Sequence, residues 1–203
     1  MIIASIRQTA HERVIVTLED GSEVVSTPGA VSELMLYSGK TITEEDLIRL
    51  KALTIRSLAL EKAIDVLSRR RMSAKELRRK LTEKGMDAET VEYCVFRLQS
   101  LGYIDDEAYA AAVVRHYAGK GYGQSRIRAE LAHRGVDRDY WETALEEMPE
   151  NTEKIDRFIE THLTDPDDRD QVRKVSAALY RRGYSWDEIR AAIRRYSSEF
   201  EEI

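Results

Sequence analysis

Apolar residues recur every three or four positions along most of this chain, which is the spacing of one face of an α-helix. The period is clearest at Ala59, Leu60, Ala63, Ile64 and Leu67. Ser73-Ala-Lys-Glu76 and Ser185-Trp-Asp-Glu188 match the capping box, in which a Ser and a Glu side chain bind the backbone N–H groups that open a helix. We therefore predict a mainly α fold, with helices from about residue 56 onward.

The N-terminal segment that precedes Pro28 has a different pattern. Two short runs rich in β-branched residues, Arg13–Leu18 and Glu23–Ser26, flank the dipeptide Asp20-Gly21. Asp-Gly between such runs is typical of a tight β-hairpin, because both central turn positions need a positive φ. We predict a hairpin here, with a third strand at Ile2–Ile6.

Capping residues and glycines predict the remaining helix limits, since short polar side chains open helices and glycine ends them. A short helix is expected at Val31–Tyr37, ended by Gly39. The other predicted helix starts are Thr43, Asp87, Asp105, Ser125, Asp137, Asn151 and Asp165-Pro166.

One motif recurs three times along the chain. It consists of Leu, two further residues, a base, Gly, an apolar residue and a helix-capping residue, and it begins at Leu81, Leu131 and Leu179. Its glycines are therefore almost equally spaced. The leucine faces the core, the base lies at the negative end of its helix, and the glycine adopts the left-handed turn. Similarity at a fixed period is typical of stacked helical repeats.

The repeat divides the chain into an N-terminal region of strands and short helices at 1–55 and three-helix repeats at 56–104, 105–149 and 150–203. Each repeat is small, so we expect neighbours to stack on one another. The predicted fold is therefore three tandem three-helix bundles in an elongated, curved array, with a small β-hairpin and short-helix region at the N-terminus.

Charge is unevenly distributed along the chain. The net charge of −5 is unlike that of proteins that coat naked DNA unaided. Residues 51–104, however, hold 12 Lys or Arg against 7 Asp or Glu, so we look for a polyanion contact in the first repeat. The single cysteine, Cys94, lies in an apolar helical pattern and is interpreted as a core residue in a reducing compartment. No stretch approaches the roughly 20 apolar residues of a membrane span.

Several of these segments together resemble the RecX family. Leu101–Ala110, with the sequence LGYIDDEAYA, is similar to that family's most recognisable segment and lies at the same junction between the first two repeats. Gly123–Leu131 and Arg134–Val136 resemble the second repeat of the family, and Ala178–Tyr184 resembles the third. The resemblance covers about residues 56–196 and leaves out the N-terminal hairpin.

The resemblance implies a cytoplasmic regulatory protein that binds the bacterial recombinase RecA and lies in the helical groove of the RecA–DNA filament. Proteins of this family suppress ATP hydrolysis and strand exchange by RecA, and they act in DNA repair and the SOS response. The resemblance implies no catalytic site. We further expect a monomer that needs no cofactor, whose own contact with nucleic acid is weak or depends on the filament.

The main candidate contact is a series of bases in the first repeat, here called the basic run: Arg69, Arg70, Arg71, Lys75, Arg78, Arg79, Lys80 and Lys84. With Leu77 and Leu81 facing inward, Lys75, Arg78 and Arg79 fall on the opposite face of their helix. The run is interpreted either as a solvated face or as a footprint for DNA phosphates or an acidic protein groove, and the local charge favours the footprint. Arg126 and Arg128 are further RecA- or DNA-binding candidates in the second repeat.

The aromatic residues are interpreted mainly as packing residues. Four tyrosines cluster around the second repeat, at Tyr103, Tyr109, Tyr117 and Tyr122. Aromatic anchors are common at interfaces, but we expect these tyrosines to lie in the core. Trp141 and Trp186 lie near helix starts and are expected to pack between helices.

The sequence gives little support for an enzyme. The four histidines share no ligand spacing with each other or with Cys94, and no phosphate-binding G-x-x-x-x-G-K-[ST] motif is present. The acidic stretch 165–170 lacks the Gly and terminal Glu of a calcium loop. We therefore predict no catalytic residue, no metal ligand and no cofactor.

Two other functions stay open. The tight turns between helices would suit an independent helix-turn-helix-like DNA-binding module, which predicts salt-sensitive binding to duplex DNA without RecA. A helical scaffold for some other protein is the third possibility. Whether binding requires assembled RecA distinguishes these functions.

Overall fold

The computed structural model describes residues 1–9, 12–149 and 152–201, and it confirms the mainly α fold with a small N-terminal sheet. The strands are β1 (Ile3–Gln8), β2 (Val14–Leu18) and β3 (Glu23–Ser26). The helices are α1 (Pro28–Glu33), α2 (Glu44–Arg69), α3 (Ala74–Glu83), α4 (Ala88–Ser100), α5 (Asp106–Gly119), α6 (Gln124–His133), α7 (Trp141–Glu146), α8 (Thr152–His162), α9 (Arg169–Arg181) and α10 (Trp186–Glu201).

The chain forms two compact units. The first contains Met1–Arg71 and Leu77–Tyr103, and the second contains Met72–Glu76 and Ile104–Ile203. The curvature of the predicted array stays a prediction.

The N-terminal sheet is antiparallel in the order β1-β2-β3. Its register pairs Ile6 with Val16 and Val14 with Ser26. Alternate residues of β2 face a small core that is completed by α1 and by Leu50 of α2. The predicted hairpin and third strand are confirmed, and Gly21 adopts the positive φ that the turn requires.

The short helix lies earlier than expected. The prediction of Val31–Tyr37 was wrong, because α1 begins at Pro28. The Thr27 hydroxyl accepts a hydrogen bond from the Ala30 N–H, and Pro28 suits the first helical position because its missing N–H needs no partner. The helix ends before Met35, which takes a left-handed φ of 46°.

Helix α2 joins the N-terminal region to the first repeat. It begins at a complete capping box, in which Thr43 and Asp46 bind each other's backbone N–H groups. It runs without interruption for 26 residues, so the division predicted at residues 55 and 56 falls inside one helix. Thr54 of this helix binds Ser26 of the sheet through a buried 2.7 Å hydroxyl–hydroxyl hydrogen bond. Farther along, α2 packs against α4, where Cys94 is fully buried.

The second and third repeats each have a core of their own within the second unit. Val114, Ile127 and Leu131 are buried at the centre of the second repeat. Ile159, Leu163 and Leu179 are buried at the centre of the third repeat.

Two predicted helix starts were wrong in this part of the chain, and one falls outside the described residues. Asp137 opens a single 3-10 turn at Arg138–Tyr140 before α7, instead of an α-helix. The helix expected from Asp165-Pro166 begins at Arg169, because Asp168 accepts hydrogen bonds from the N–H groups of Asp170 and Gln171. The predicted cap at Asn151 lies outside the described residues.

The repeated turn has the expected geometry in all three repeats. Gly85, Gly135 and Gly183 have φ values of 81°, 67° and 94°. After the first of these turns, Asp87 caps α4 by accepting a hydrogen bond from the Thr90 N–H. After the third turn, Ser185 and Glu188 form the predicted capping box, with N–H to oxygen distances of 2.6 and 3.2 Å.

The turn of the third repeat meets the start of α6 backbone to backbone. The Gly123 N–H donates to the Arg182 carbonyl at 2.9 Å, and the Ser125 N–H donates to the Gly183 carbonyl at 3.1 Å. A Cβ added to Gly123 would lie 2.3 Å from the Gly183 oxygen. This junction therefore requires glycine at position 123 for space and at position 183 for both space and φ.

An equivalent contact forms between the turn of the second repeat and the start of α3. The Ser73 hydroxyl donates to the Arg134 carbonyl at 2.6 Å and accepts a hydrogen bond from the Glu76 N–H. Gly135 lies against the aliphatic part of Lys75, and a Cβ added at Gly135 would lie 3.2 Å from that side chain. Arg134 and Arg182 both precede a turn glycine, so in both junctions the acceptor is the carbonyl of the residue before that glycine.

The third repeat does not offer a further site of this kind. Ser73, Gly123 and Gln171 occupy equivalent positions, each at the same spacing before the turn glycine of its repeat. Ser73 and Gly123 come just before their helices begin, whereas Gln171 lies inside α9, which starts at Arg169. The additional residues at the start of α9 occupy the place that the other repeats use for the junction.

The close approach of the backbones between the second and third repeats can be tested with two single alanine substitutions, one at the contact and one four residues before it. Gly123→Ala should destabilise the protein by about 3 kcal/mol, because the new Cβ overlaps the Gly183 backbone. Gly119→Ala is the matched control: no atom lies within 4 Å of its added Cβ, so it should be neutral or stabilising by up to about 1 kcal/mol. Urea unfolding of both variants measures the difference, and equal stabilities would contradict the close approach.

Candidate interaction surface of the first repeat

Helix α3 carries the central part of the basic run. Ser73 caps its start, and Leu77 and Leu81 are fully buried, which turns the intervening bases outward. Lys75, Arg79 and Lys84 are exposed, whereas Arg78 and Lys80 are half-buried. Arg70 and Arg71 follow the end of α2 in exposed positions. The sequence thus identified a largely exposed series of bases, as expected for a solvated face or a contact surface.

Several bases of the run form ion pairs with nearby acids. Arg69 binds Asp65 at 3.0 Å and Arg79 binds Glu83 at 3.3 Å, each within one helix and in the exposed part of the molecule. Exposed pairs of this type contribute about 0.3–0.5 kcal/mol, because water competes for both charges. An anionic partner could therefore replace these acids at little energetic cost.

Arg78 has a different role, which the repeat makes clear. It binds Glu92 of α4 at 2.8 Å, and in the second repeat Arg128 of α6 binds Glu142 of α7 at 2.6 and 3.1 Å. Both members of the second pair occupy the positions that are equivalent, by the repeat spacing, to those of the first. The pair therefore joins the second and third helices of a repeat. The hydrogen bond from Arg128 lowers the pKa of Glu142 below its ordinary value.

Other candidate bases also have structural partners. Arg126 binds Glu130 at 3.0 Å on the same helix. Lys75, at the start of α3, lies with its methylene groups against Gly135, as described above. The assignment of these residues to a RecA or DNA contact stays a prediction. Their place at the junctions of the fold makes them weaker candidates than the exposed bases Arg70, Arg71, Arg79 and Lys84.

The aromatic residues divide into buried and exposed groups. Tyr109 is buried, and Tyr117 and Tyr122 pack against the core of the second repeat, as expected. The interpretation of Tyr103 as a core residue was wrong, since it follows the left-handed Gly102 and is 64% exposed. Trp141 is half-buried and donates from its indole N–H to the Val136 carbonyl.

Trp186 packs between α9 and α10 through one face of its ring only. Its side chain is 51% exposed and stacks on Tyr180. Sequence reasoning missed Phe96 on α4, which is 72% exposed. The helix period places Trp186 near the boundary of the buried face of α10, and it places Phe96 opposite the buried face of α4.

Two other kinds of site are absent from the part of the chain that the structure describes. No group of three or more His, Cys, Asp or Glu side chains among them is arranged to hold a metal ion. Within the same part of the chain, none of the helices is both long and apolar enough to cross a membrane. The Cys94 thiol is buried, and burial raises its pKa.

Family sequence models match each of the three repeats. Residues 59–98, 105–145 and 162–193 match the first, second and third three-helix domains of RecX, respectively. The regulatory protein RecX of Xanthomonas axonopodis pv. citri (strain 306) is 40% identical over 138 residues, which are 66% of this chain and 85% of that protein. The chain belongs to the RecX family.

Other RecX proteins support the same assignment. The regulatory protein RecX of Stenotrophomonas maltophilia (strain R551-3) is 38% identical over 141 residues, or 66% of this chain and 85% of that protein. A crystal structure of regulatory protein RecX superposes with a TM-score of 0.77 at 22% identity, covering 92% of this chain and 96% of the other. RecX from Lactobacillus salivarius gives a TM-score of 0.63 at 24% identity, covering 70% and 96% of the two chains. These two structures confirm the fold, and the curated relatives support a regulatory role.

The structural role of Arg128 can be tested through its partner. Arg128→Gln should raise the pKa of Glu142 towards the ordinary glutamate value, because the stabilising hydrogen bonds to the carboxylate are lost. In the unsubstituted protein the pair stabilises the fold above the ordinary carboxyl pKa, and this contribution is lost as the pH falls through the lower pKa of the folded state. NMR titration of the Glu142 side-chain carboxyl carbon measures the change. Arg126→Gln is the control and should leave Glu142 unchanged, and an equal effect of both substitutions would contradict the assigned pair.

Proposed function

We propose that this RecX-family protein binds RecA and its filament on DNA and inhibits ATP hydrolysis and strand exchange by RecA. The inhibition requires binding alone and no covalent step. In this proposal the protein acts as a monomer, and the basic run of the first repeat supplies an important part of the contact.

The observation that carries the proposal is the density of bases at the end of α2 and along α3. Residues 69–84 hold eight Lys or Arg against two Asp or Glu, a net charge of +6 in a chain whose net charge is −5. A surface of this kind attracts phosphates and acidic protein grooves over a distance of about 10 Å at 0.1 M salt. A filament of protein on DNA offers both kinds of anion side by side.

A repeating partner also suits a protein built of three repeats. Weak contacts made by several repeats along one filament combine, since each contact made brings the next pair of surfaces together at high local concentration. Single contacts can then remain weak, as exposed ion pairs are. This explains how an acidic protein could bind a nucleoprotein filament without a strong affinity for bare DNA.

The rival function, an independent helix-turn-helix-like module, is disfavoured by the third helix of the first and second repeats. In such modules the residues at the start of the recognition helix contact base edges in the major groove. In these two repeats those positions carry exposed acids, namely Glu89 and Glu92 on α4 and Glu142 on α7. Carboxylates so placed would repel the phosphates that line the groove.

The central test is RecA ATP hydrolysis on single-stranded DNA with this protein added at increasing concentration. Unsubstituted protein should lower the rate at substoichiometric amounts. The variant Arg70→Glu/Arg79→Glu/Lys84→Glu should need at least about tenfold more protein for the same inhibition, which corresponds to a loss of about 1.4 kcal/mol of binding free energy. Arg78 is left unchanged because it joins α3 to α4.

The matched control changes the same charges in the N-terminal region. Arg7→Glu/Arg49→Glu/Lys51→Glu also replaces two arginines and one lysine at exposed positions, so both variants have the same net charge. It should inhibit RecA nearly as well as unsubstituted protein. Because Arg79→Glu would face Glu83, the triple glutamine variant at positions 70, 79 and 84 provides a second measurement without new repulsion. Unchanged inhibition by both basic-run variants would show that the assignment is wrong.

A further inference from the structure

An exposed pair of stacked aromatic residues lies at the turn of the third repeat. Tyr180, near the end of α9, and Trp186, at the start of α10, have ring centroids 5.0 Å apart and planes inclined by 20°. The two side chains are 54% and 51% exposed. The pair, here called the aromatic pair, thus holds two large flat surfaces in a fixed orientation while leaving much of both in water.

The repeat architecture does not require this pair. The equivalent positions are Thr82 and Ala88 in the first repeat and Ala132 and Arg138 in the second. Phe158 of the same repeat is instead covered by the guanidinium of Arg182, which lies 4.4 Å from the centre of its ring. The aromatic pair is therefore a feature particular to the third repeat, and it exposes apolar area that packing alone would have hidden.

The helices that carry the pair are locally basic. Residues 169–196 contain eight Lys or Arg against three Asp or Glu, a net charge of +5, although residues 149–203 as a whole are acidic. Arg190 occupies the position that Glu92 and Glu142 hold in the other repeats, so a base replaces the acid of the inter-helix ion pair. Opposite it, Ser176 replaces Arg78 and Arg128.

Two of these bases flank the aromatic pair on its own helix faces. Arg173 lies two turns before Tyr180 on α9, and Arg190 lies one turn after Trp186 on α10. The acids nearby are Asp170, which binds Arg173 at 3.1 Å, Asp187, which binds Arg190 at 2.6 Å, and Glu188, which caps α10. The two ion pairs are exposed and join residues three apart, so phosphates can displace these acids at little cost.

We propose that the aromatic pair and the two flanking arginines bind single-stranded DNA. A nucleobase stacks on the exposed ring face, and Arg173 and Arg190 hold the phosphates. Every nucleobase has a flat face, so such stacking tolerates any sequence, and a prearranged pair loses little entropy on binding. A protein partner is less suited, because aromatic hot spots lie at the centre of desolvated patches, whereas cations surround this pair. The choice of DNA over RNA rests on the proposed function, which places the protein on a DNA filament.

The experiment uses Trp186 as its own reporter. The chain has two tryptophans, so Trp141→Phe leaves Trp186 as the single one. Titration with a dT oligonucleotide of about 12 nucleotides, at low salt and without RecA, should quench the fluorescence of this full-length variant through stacking. A duplex of the same length should bind more weakly, because its bases are already stacked on each other. Tighter binding to the duplex, or to an oligo-rU of equal length, would overturn the proposal.

Substitutions distinguish DNA binding by the aromatic pair from nonspecific electrostatic attraction of DNA to the basic residues. In anisotropy measurements with a labelled dT oligonucleotide, Tyr180→Ala/Trp186→Ala should weaken binding by about tenfold, in line with the loss of stacking on one or two bases. Phe96→Ala, which removes another exposed aromatic ring, should leave the affinity unchanged. An absence of Trp186 quenching, or equal loss in both variants, would refute the site. Because RecA is absent, this outcome is independent of the ATP-hydrolysis test, and either proposal can fail while the other stands.

Discussion

The second unit depends on one backbone interaction, the hydrogen bond from the start of α6 to the carbonyl of Arg182. That bond brings the backbones at Gly123 and Gly183 so close that neither position has space for a side chain. The adjacent Tyr184 adds a hydroxyl hydrogen bond to the Gly121 carbonyl, and its burial, together with the charge of Glu188, raises its pKa to about 12. The equivalent carbonyl in the second repeat is that of Arg134, and it accepts its hydrogen bond from the Ser73 hydroxyl at the start of α3. At this junction the nearest atoms to a Cβ added at Gly135 belong to the Lys75 side chain, at 3.2 Å, whereas a Cβ added at Gly183 would lie 2.3 Å from the Arg126 backbone nitrogen.

The parts of the fold that could be predicted are those that a few neighbouring residues determine. The sequence of base, glycine, apolar residue and cap describes each turn completely, so all three turns were found. Helix starts with several capping candidates were harder, as at α9, where Asp165 and Asp168 both precede the helix. Asp165 closes a local turn by accepting from the Asp167 N–H, whereas Asp168 caps the helix whose Val175 and Leu179 reach the core. Local pattern alone does not decide between two such caps.

In the candidate site, the sequence predicted which residues are basic but not which side chains they contact. The sequence identified the basic run, but it did not show that Arg78 and Arg128 face acids on the following helix. The signal was present in the repeat, because both partners recur at equivalent positions. Comparing equivalent positions would also have shown that the third repeat replaces this acid by Arg190. The exposure of Tyr103 and Trp186 has local reasons, since Tyr103 follows the left-handed Gly102 and Trp186 lies at the boundary of the buried face of α10.

The charge of the whole chain and the charge of its surfaces lead to different conclusions about nucleic acids. Salt screens charges beyond about 10 Å at 0.1 M, so a bound phosphate responds mainly to the bases within that distance. The segments 69–84 and 169–196 are each strongly basic, and they can therefore attract anions although the chain carries a net charge of −5. The surplus of acids elsewhere opposes accumulation along bare DNA, where many weak encounters would otherwise hold the protein. Local bases in an acidic chain thus favour a partner that presents anions at defined places, as an ordered filament does, over an unoccupied stretch of DNA.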